Sequence, residues 1–333
     1  MPEASPNIFC VQHSRPVIEQ GARSVGTIGT VISNVQHDPT LIDFIASRGL
    51  SSLLLSANQV TLHHDVYPAV DPSQLISNQA FQGKRVIVTG ASRGIGEDVA
   101  FTFARAGASI VLVARTESQV DAVESRILEH VQNAQVEVAV TRAVERFGGG
   151  DVLVAVAGTA RGITPSRRRI HMIGGMPWKS IVVASSMLFG LTEKYALPHL
   201  EKSHGRIIAI TSISSQLRVP FASDYCVSKH ALTRFMEFVP IVANTEHPKV
   251  LAFPVHPGAI LTELSKASGY PAELFNDTVG LASAYILHLA AGNADWLNGR
   301  YSSACWDITE LERDWKEKAL EKGALVNKLY LPQ

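Results

Sequence analysis

The sequence predicts a doubly wound α/β domain, a parallel sheet with helices on both faces, preceded by an N-terminal extension. Three observations carry this expectation. From Lys84 onward, short apolar runs of strand length alternate with segments of helical periodicity. The runs are apolar on consecutive residues, as strands covered on both faces are. The first run leads directly into a glycine-rich turn, "TGASRGIG" (Thr89 to Gly96), and then into a helical stripe.

The elements follow in order. Residues 1–61 are polar and weakly periodic, with "LSSLLLSA" (50–57) as the one strong apolar piece. They read as an N-terminal extension, and 62–333 as the folded domain. "DVYPAVDPSQ" (65–74) carries two prolines and reads as an extended connector. "RVIVT" (85–89) is the first strand. Ile95, Val99, Ala100, Phe103 and Ala104 share a helical face, with Gly107 as the stop. "SIVLVA" (109–114) is the second strand. Thr116 and Gln119 suggest a capping box for a helix that runs through Val120, Val123, Ile127 and Val131. "DVLVAVAG" (151–158), "GRIIAITS" (205–212) and "KVLAFPVHPG" (249–258) are further strands. "PWKSIVVASSMLFGLTEKYALPHL" (177–200) and "SDYCVSKHALTRFMEFVPIVA" (223–243) are helices between them.

One interval is too short for a regular doubly wound sheet. Between Arg115 and Phe147 one helix fits easily. "VEVAV" (136–140) then reads in two ways, as a third strand or as the start of a second helix. The stripe Val136, Val140, Val144 and Phe147 favours the helix, so the third strand is expected to be missing.

Composition narrows the function classes. The 333 residues are 46% hydrophobic, ample for a core. Lys plus Arg and Asp plus Glu stand at 30 each, which argues against a dedicated nucleic-acid or anionic-membrane protein. Three dispersed cysteines (Cys10, Cys226, Cys305) suit a reducing compartment and form no zinc signature. The adjacent His63 and His64 read as a surface loop, and no metal is expected. No apolar run approaches the roughly 18 residues that span a membrane. The absence of a secretory pattern makes the cytoplasm the expected location.

The chemistry concentrates at three places. Gly90 permits a tight turn, Gly94 a close approach of a pyrophosphate, and Gly96 close packing of helix on strand. Arg115 follows the second strand, where an NAD site would place an acid. With Arg93 it suits a 2′-phosphate, so NADP(H) is favoured over NAD(H); two solvated surface arginines are the plainer reading. Tyr225 and Lys229 lie four apart on a predicted helix and share a face, and Ser212 stands thirteen residues before the tyrosine at a strand end. The ammonium is expected to stabilise the phenolate and lower the tyrosine's pKa, so that the phenol can exchange a proton with a substrate oxygen.

In their order, TGxxxGxG at 89–96, Ala157-Gly158, Ser212, YxxxK at 225–229 and "HPGAILTEL" (256–264) resemble the short-chain dehydrogenase/reductase family over roughly 62–330. The tail at 297–314 and the lead-in at 63–73 look like its fungal secondary-metabolism members. The resemblance implies a Rossmann-like fold and an oxidoreductase. It implies that Ser212 positions the substrate oxygen, Tyr225 is the acid/base, and Lys229 holds the nicotinamide ribose. Gly158, Pro257 and Gly258 would border the nicotinamide, and Thr262 would contact its carboxamide. Gly90, Ser92, Arg93, Gly94, Ile95, Gly96 and Arg115 would hold the adenosine and phosphate end. Homo-oligomers and a small carbonyl or alcohol substrate are implied as well.

The chain departs from the family pattern twice more. Ala155 and Val156 stand where asparagines are usual. Ser185 aligns with an asparagine that helps hold a proton-relay water, and a shorter side chain there suggests weakened turnover. The alternative to an enzyme is therefore an impaired relative that binds NADP(H) as a scaffold or regulator. Leu217, Val219, Phe221, Ile260 and Leu261 suggest an apolar or aromatic substrate, with ordinary core packing as the competing reading. The arginine-rich "ARGITPSRRRIHMIGGMPWK" (160–179) reads as a solvated loop or as an anion pocket.

Overall fold

The computed structural model describes residues 60–140, 150–158, 196–217, 223–242, 250–268 and 270–329. Seven parallel strands form one sheet in the order β3-β2-β1-β4-β5-β6-β7. They are β1 (Arg85–Thr89), β2 (Ser109–Ala114), β3 (Gln135–Val140), β4 (Val152–Ala155), β5 (Arg206–Ile210), β6 (Leu251–His256) and β7 (Ser302–Ser303). The principal helices are α1 (Gly94–Arg105), α2 (Glu117–His130), α3 (Leu197–Ser203), α4 (Ser223–Val242) and α5 (Val279–Ala290). The order reverses between β1 and β4, which opens a crevice at the carboxyl ends of those strands.

The sheet separates two apolar layers. Val86, Val88, Ile110 and Leu112 point to one side, where Val99 and Phe103 of α1 and Leu281 and Tyr285 of α5 pack. Ile87, Val111, Leu153, Ile207 and Ala209 point to the other, against Leu232, Met236 and Val239 of α4. This period-two division explains why the strands read as continuous apolar runs. Helix α1 ends as expected: Ala106 caps it, and Gly107 at φ +90° takes the left-handed turn that a side chain would resist.

Four expectations change. The third strand exists: Gln135–Val140 pairs in parallel with the whole of β2. Gln135 and Glu137 are exposed while Val136 and Val138 pack on the core, a strand alternation that outweighs the helical spacing. Asn133 at φ +60° supplies the turn between α2 and this strand. The capping box at Thr116 does not form, since its side chain makes no cap bond to the exposed first turn of α2. The connector 65–74 is packed, with a 3-10 turn at Pro68–Val70 and buried Tyr67 and Val70. His63 and His64 are not a free surface loop, because each pairs with a carboxylate, Asp307 and Asp277 respectively. The extension at 1–59, the segment 160–179 and Ser185 lie outside the described residues, as does most of the helix expected at 177–200, whose visible end is α3.

The lead-in therefore belongs to the packed body. Leu62 bridges Trp306 antiparallel, and the His63 N–H donates to the Cys305 carbonyl at 2.8 Å. The Tyr67 ring stacks on His63 at 3.9 Å. Its hydroxyl donates to the Trp306 carbonyl at 2.9 Å and accepts from the Ile308 N–H at 3.1 Å. Tyr67→Phe should leave both backbone groups buried without that partner and lower stability by about 1–3 kcal/mol. The urea midpoint measures this; an unchanged midpoint would show that the two bonds contribute nothing.

Candidate active site

The crevice begins with the turn after β1. Gly90 (φ +68°) and Gly94 (φ +58°) both occupy the left-handed region. The Gly90 and Ala91 N–H groups both donate to the Val113 carbonyl, at 2.8 and 3.3 Å, which pins the turn to β2. A Cβ on Gly96 would lie 2.3 Å from the Gly90 carbonyl oxygen, so only glycine permits this approach of helix to turn. A Cβ on Gly90 would likewise stand 2.8 Å from the Ala157 nitrogen. Helix α1 starts at Gly94 with no side-chain cap, leaving its first N–H groups without a side-chain acceptor from the cap residue. Arg93 and Arg115 are exposed there, and neither has a salt-bridge partner among the described residues. Ser92 and Ile95 are half-buried beside them.

The second group is built on β5 and α4. Ser212 follows β5, is 8% exposed, and accepts a hydrogen bond from the Ser214 N–H at 3.1 Å. The resulting 3-10 turn, Ile213–Ser215, is tied to α4 because His230 Nδ1 donates to the Ser215 carbonyl at 2.8 Å. Thr211 extends the tie, donating to the Lys229 carbonyl at 3.2 Å and meeting the Thr233 hydroxyl at 2.6 Å. Across this seam the Tyr225 phenol lies beside Ser212. Contrary to the lowering expected beside an ammonium, burial pushes the phenol above the ordinary tyrosine range, and Ser212 partly opposes the shift. Lys229 Nζ lies 5.8 Å from the Tyr225 ring centroid and donates to the Ile210 carbonyl at 2.6 Å. Burial lowers its pKa to about 8. A Cβ on Gly158 would stand 3.6 Å from that ammonium, so the loop after β4 borders it.

The apolar departures Ala155 and Val156 are absorbed by packing. Ala155 joins the layer under α4 and Val156 leans on the opposite layer. The Ala157 N–H donates to Thr89 Oγ1 at 3.3 Å, which carries the loop across the switch point.

The third group follows β6. Pro257 is buried, and Gly258 sits at φ +107°. Thr262 caps Glu263–Lys266: its hydroxyl accepts from the Ser265 N–H at 3.2 Å while its own N–H donates to Ser265 Oγ at 2.6 Å. A Cβ on Gly94 would lie 3.6 Å from the Thr262 methyl, so this turn borders the glycine loop. The crevice thus gathers Ser212, Tyr225, Lys229, Gly158 and the two loops. Sequence reasoning missed Thr211, Thr233 and His230. A hydroxyl at i+4 from Lys229 and a histidine at i+5 from Tyr225 were the available signals, and both are common on any helix.

Comparisons with known proteins agree with this geometry. The family model described as short chain dehydrogenase matches residues 84–271. The short chain dehydrogenase mpl6 of Monascus purpureus is 32% identical over 292 residues, covering 81% of this chain and 95% of that protein. The short chain dehydrogenase pigC of Monascus ruber is 28% identical, covering 75% and 87%. Among solved structures, a gluconate 5-dehydrogenase from Burkholderia cenocepacia in complex with NADP and tartrate superposes with a TM-score of 0.59 at 24% identity, covering 68% of this chain and 96% of that one. The oxidoreductase yciK from E. coli gives 0.58 at 21% identity, covering 67% and 96%. At these identities the solved structures establish the fold. No helix among the described residues is long and apolar enough to cross a membrane. A glycine turn that tolerates no side chain, a serine set beside a half-buried tyrosine, and a family match across both place this chain in the short-chain dehydrogenase family, oxidoreductases that act on small molecules with a nicotinamide cofactor.

Proposed function

We propose that this enzyme moves hydride between NADP(H) and a carbonyl or secondary-alcohol carbon of a small apolar or aromatic metabolite, in fungal secondary metabolism. The observation that carries the proposal is the Tyr225 phenol, set beside Ser212 with its ring centroid 5.8 Å from the Lys229 ammonium. The Monascus relatives support a fungal setting. A cytoplasmic location fits the chain's dispersed thiols, and exposed Phe238, Ile241 and Val242 on α4 fit the homo-oligomer implied by the family resemblance.

The residues present fit the cofactor. The uncapped start of α1 offers N–H donors and a positive dipole end to a pyrophosphate. Arg115 and Arg93 carry fixed charge where a 2′-phosphate would need it, and the NADP bound in the gluconate 5-dehydrogenase supports the same choice. When bound, the nicotinamide supplies or accepts the hydride. The protein's part is orientation and proton handling. Ser212 would hold the substrate oxygen against Tyr225. The phenol is protonated at neutral pH, as an ordinary phenol is, and burial reinforces that state, the one that donates a proton during carbonyl reduction. An ammonium has three donors, and one of them is fixed on Ile210; the others can reach ribose hydroxyls. Half-buried Leu217 and exposed Leu261 offer an apolar margin, while Val219 and Phe221 lie outside the described residues.

Tyr225→Phe should bind NADPH as the wild type does and lose at least about 10²-fold in kcat across a carbonyl panel. Retained turnover would remove Tyr225 from the mechanism. Arg115→Asp should reverse the preference from NADPH toward NADH, read as the ratio of kcat/KM for the two. An unchanged ratio would mean that Arg115 does not meet the 2′-phosphate.

Lys229 also sets a pH dependence of folding. Its folded pKa of about 8 lies below the ordinary 10.5, so between those values the unfolded chain binds more protons and stability rises with pH. The penalty of the buried charge is fully present below the folded value and absent above the unfolded one. Between pH ~8 and ~9.5 the cofactor-free protein should gain about 2 kcal/mol more than Lys229→Met. Denaturant titrations at the two pH values test this, and parallel behaviour of the two proteins would show that the ammonium is not desolvated.

A further inference from the structure

Asp277, just before α5, is a buried carboxylate that the roles above leave unused. Its side chain is 1% exposed. Such a group is costly unless hydrogen bonds surround it. Here they do. Oδ2 accepts the Ala259 N–H at 2.5 Å and the Cys305 thiol at 3.3 Å. Oδ1 accepts His64 Nδ1 at 2.5 Å. The Asp277 N–H returns a bond to the Ala259 carbonyl at 3.1 Å, so both strands of the contact are tied.

These bonds converge on the turn that leaves β6. A Cβ on Gly258 would lie 2.8 Å from Asp277 Oδ2, so the carboxylate fills the space beside the glycine and braces its φ of +107°. The outer end of the brace comes from the lead-in. Its His64 carbonyl accepts the Thr278 N–H at 2.9 Å, and Asp65 accepts the Thr278 hydroxyl at 2.8 Å. Four segments distant in sequence thus meet at one carboxylate: 64–65, 258–259, 277–278 and Cys305.

We propose that Asp277, held by His64, is a positioning residue for the hydride-transfer reaction, fixing the Pro257-Gly258 turn against the nicotinamide end of the cofactor. The inference rests on the reading of the site given above. It assigns a catalytic purpose to the lead-in, which would otherwise be a structural strap. The glycine loop and its arginines, which would hold the adenosine and phosphate end, meet this segment at Thr262 and not at the braced Gly258. Loosening the turn should therefore lower turnover more than cofactor affinity.

The test uses the full chain with NADPH and the best substrate of a carbonyl panel, with kcat expressed per NADPH-binding site. Asp277→Ala should lose about 10²-fold in kcat, the scale of a misplaced reacting group, while the NADPH Kd stays within about threefold. Asp277→Asn keeps an oxygen for Ala259 and an amide for His64, and should recover most of that loss. His64→Ala should lose about three- to tenfold in kcat, the scale of one hydrogen bond. Wild-type kcat per site in these variants, whatever their thermal stability, would overturn the proposal. If Asp277→Ala does not fold, the partly exposed His64 variant decides alone. If the wild type binds NADPH but turns over no carbonyl, the reading of the reaction fails, and the bound nicotinamide's fluorescence decides this inference separately. Altered emission or lifetime in Asp277→Ala would sustain it, and an unchanged signal would overturn it. A wild type that binds no NADPH would overturn both.

Discussion

The hydrogen bond from Lys229 to the Ile210 carbonyl is the constraint on which the crevice depends. It joins the middle of α4 to the last residue of β5, and so fixes the helix along its length and in rotation. Four residues earlier on the same face stands Tyr225, and the turn after Ile210 presents Ser212. One buried contact therefore brings a helix residue and a strand-end residue to the same point. The Thr211–Thr233 contact and the His230–Ser215 bond repeat the tie on either side. Desolvating the ammonium opposes folding by about 3 kcal/mol, from a pKa near 8 against 10.5. An apolar residue would fill that space more cheaply, so the lysine is retained against stability.

Two loops close the crevice by opposite means. The turn after β1 depends on missing side chains: Gly90 and Gly96 pass at a distance no Cβ would allow. The turn after β6 depends on an added one, because the Asp277 carboxylate occupies the space that Gly258 leaves. The first leaves backbone donors open, which suits a charged phosphate. The second satisfies its backbone internally, through the paired bonds between Ala259 and Asp277.

Much of this was legible in the sequence, for stated physical reasons. Strands buried on both faces leave continuous apolar runs, and β1 and β2 coincide with those runs residue for residue. The glycine spacing was legible because sterics leave no other residue type. β3 was misread because "QVEVAV" satisfies two periods at once: Val136 and Val140 are four apart, yet Gln135 and Glu137 alternate with valines. Six residues are too few for periodicity to decide between them, and pairing with β2 decides instead. β7 has two residues and no periodicity to detect. Asp277 and His64 carried no signal, because their partners lie 18 and 213 residues away.

The glycine at 158 shows how these constraints meet. An alanine there would place its Cβ 3.6 Å from Lys229 Nζ, an ordinary contact distance with no steric objection. Sterics therefore do not explain the residue. Electrostatics does: the ammonium has three donors, Ile210 takes one, and a methyl group would cover the others with a surface that cannot accept them. An ammonium whose pKa is already near 8 would be desolvated further and would lose its charge closer to neutral pH. A glycine at 158 thus leaves the free donors of Lys229 uncovered.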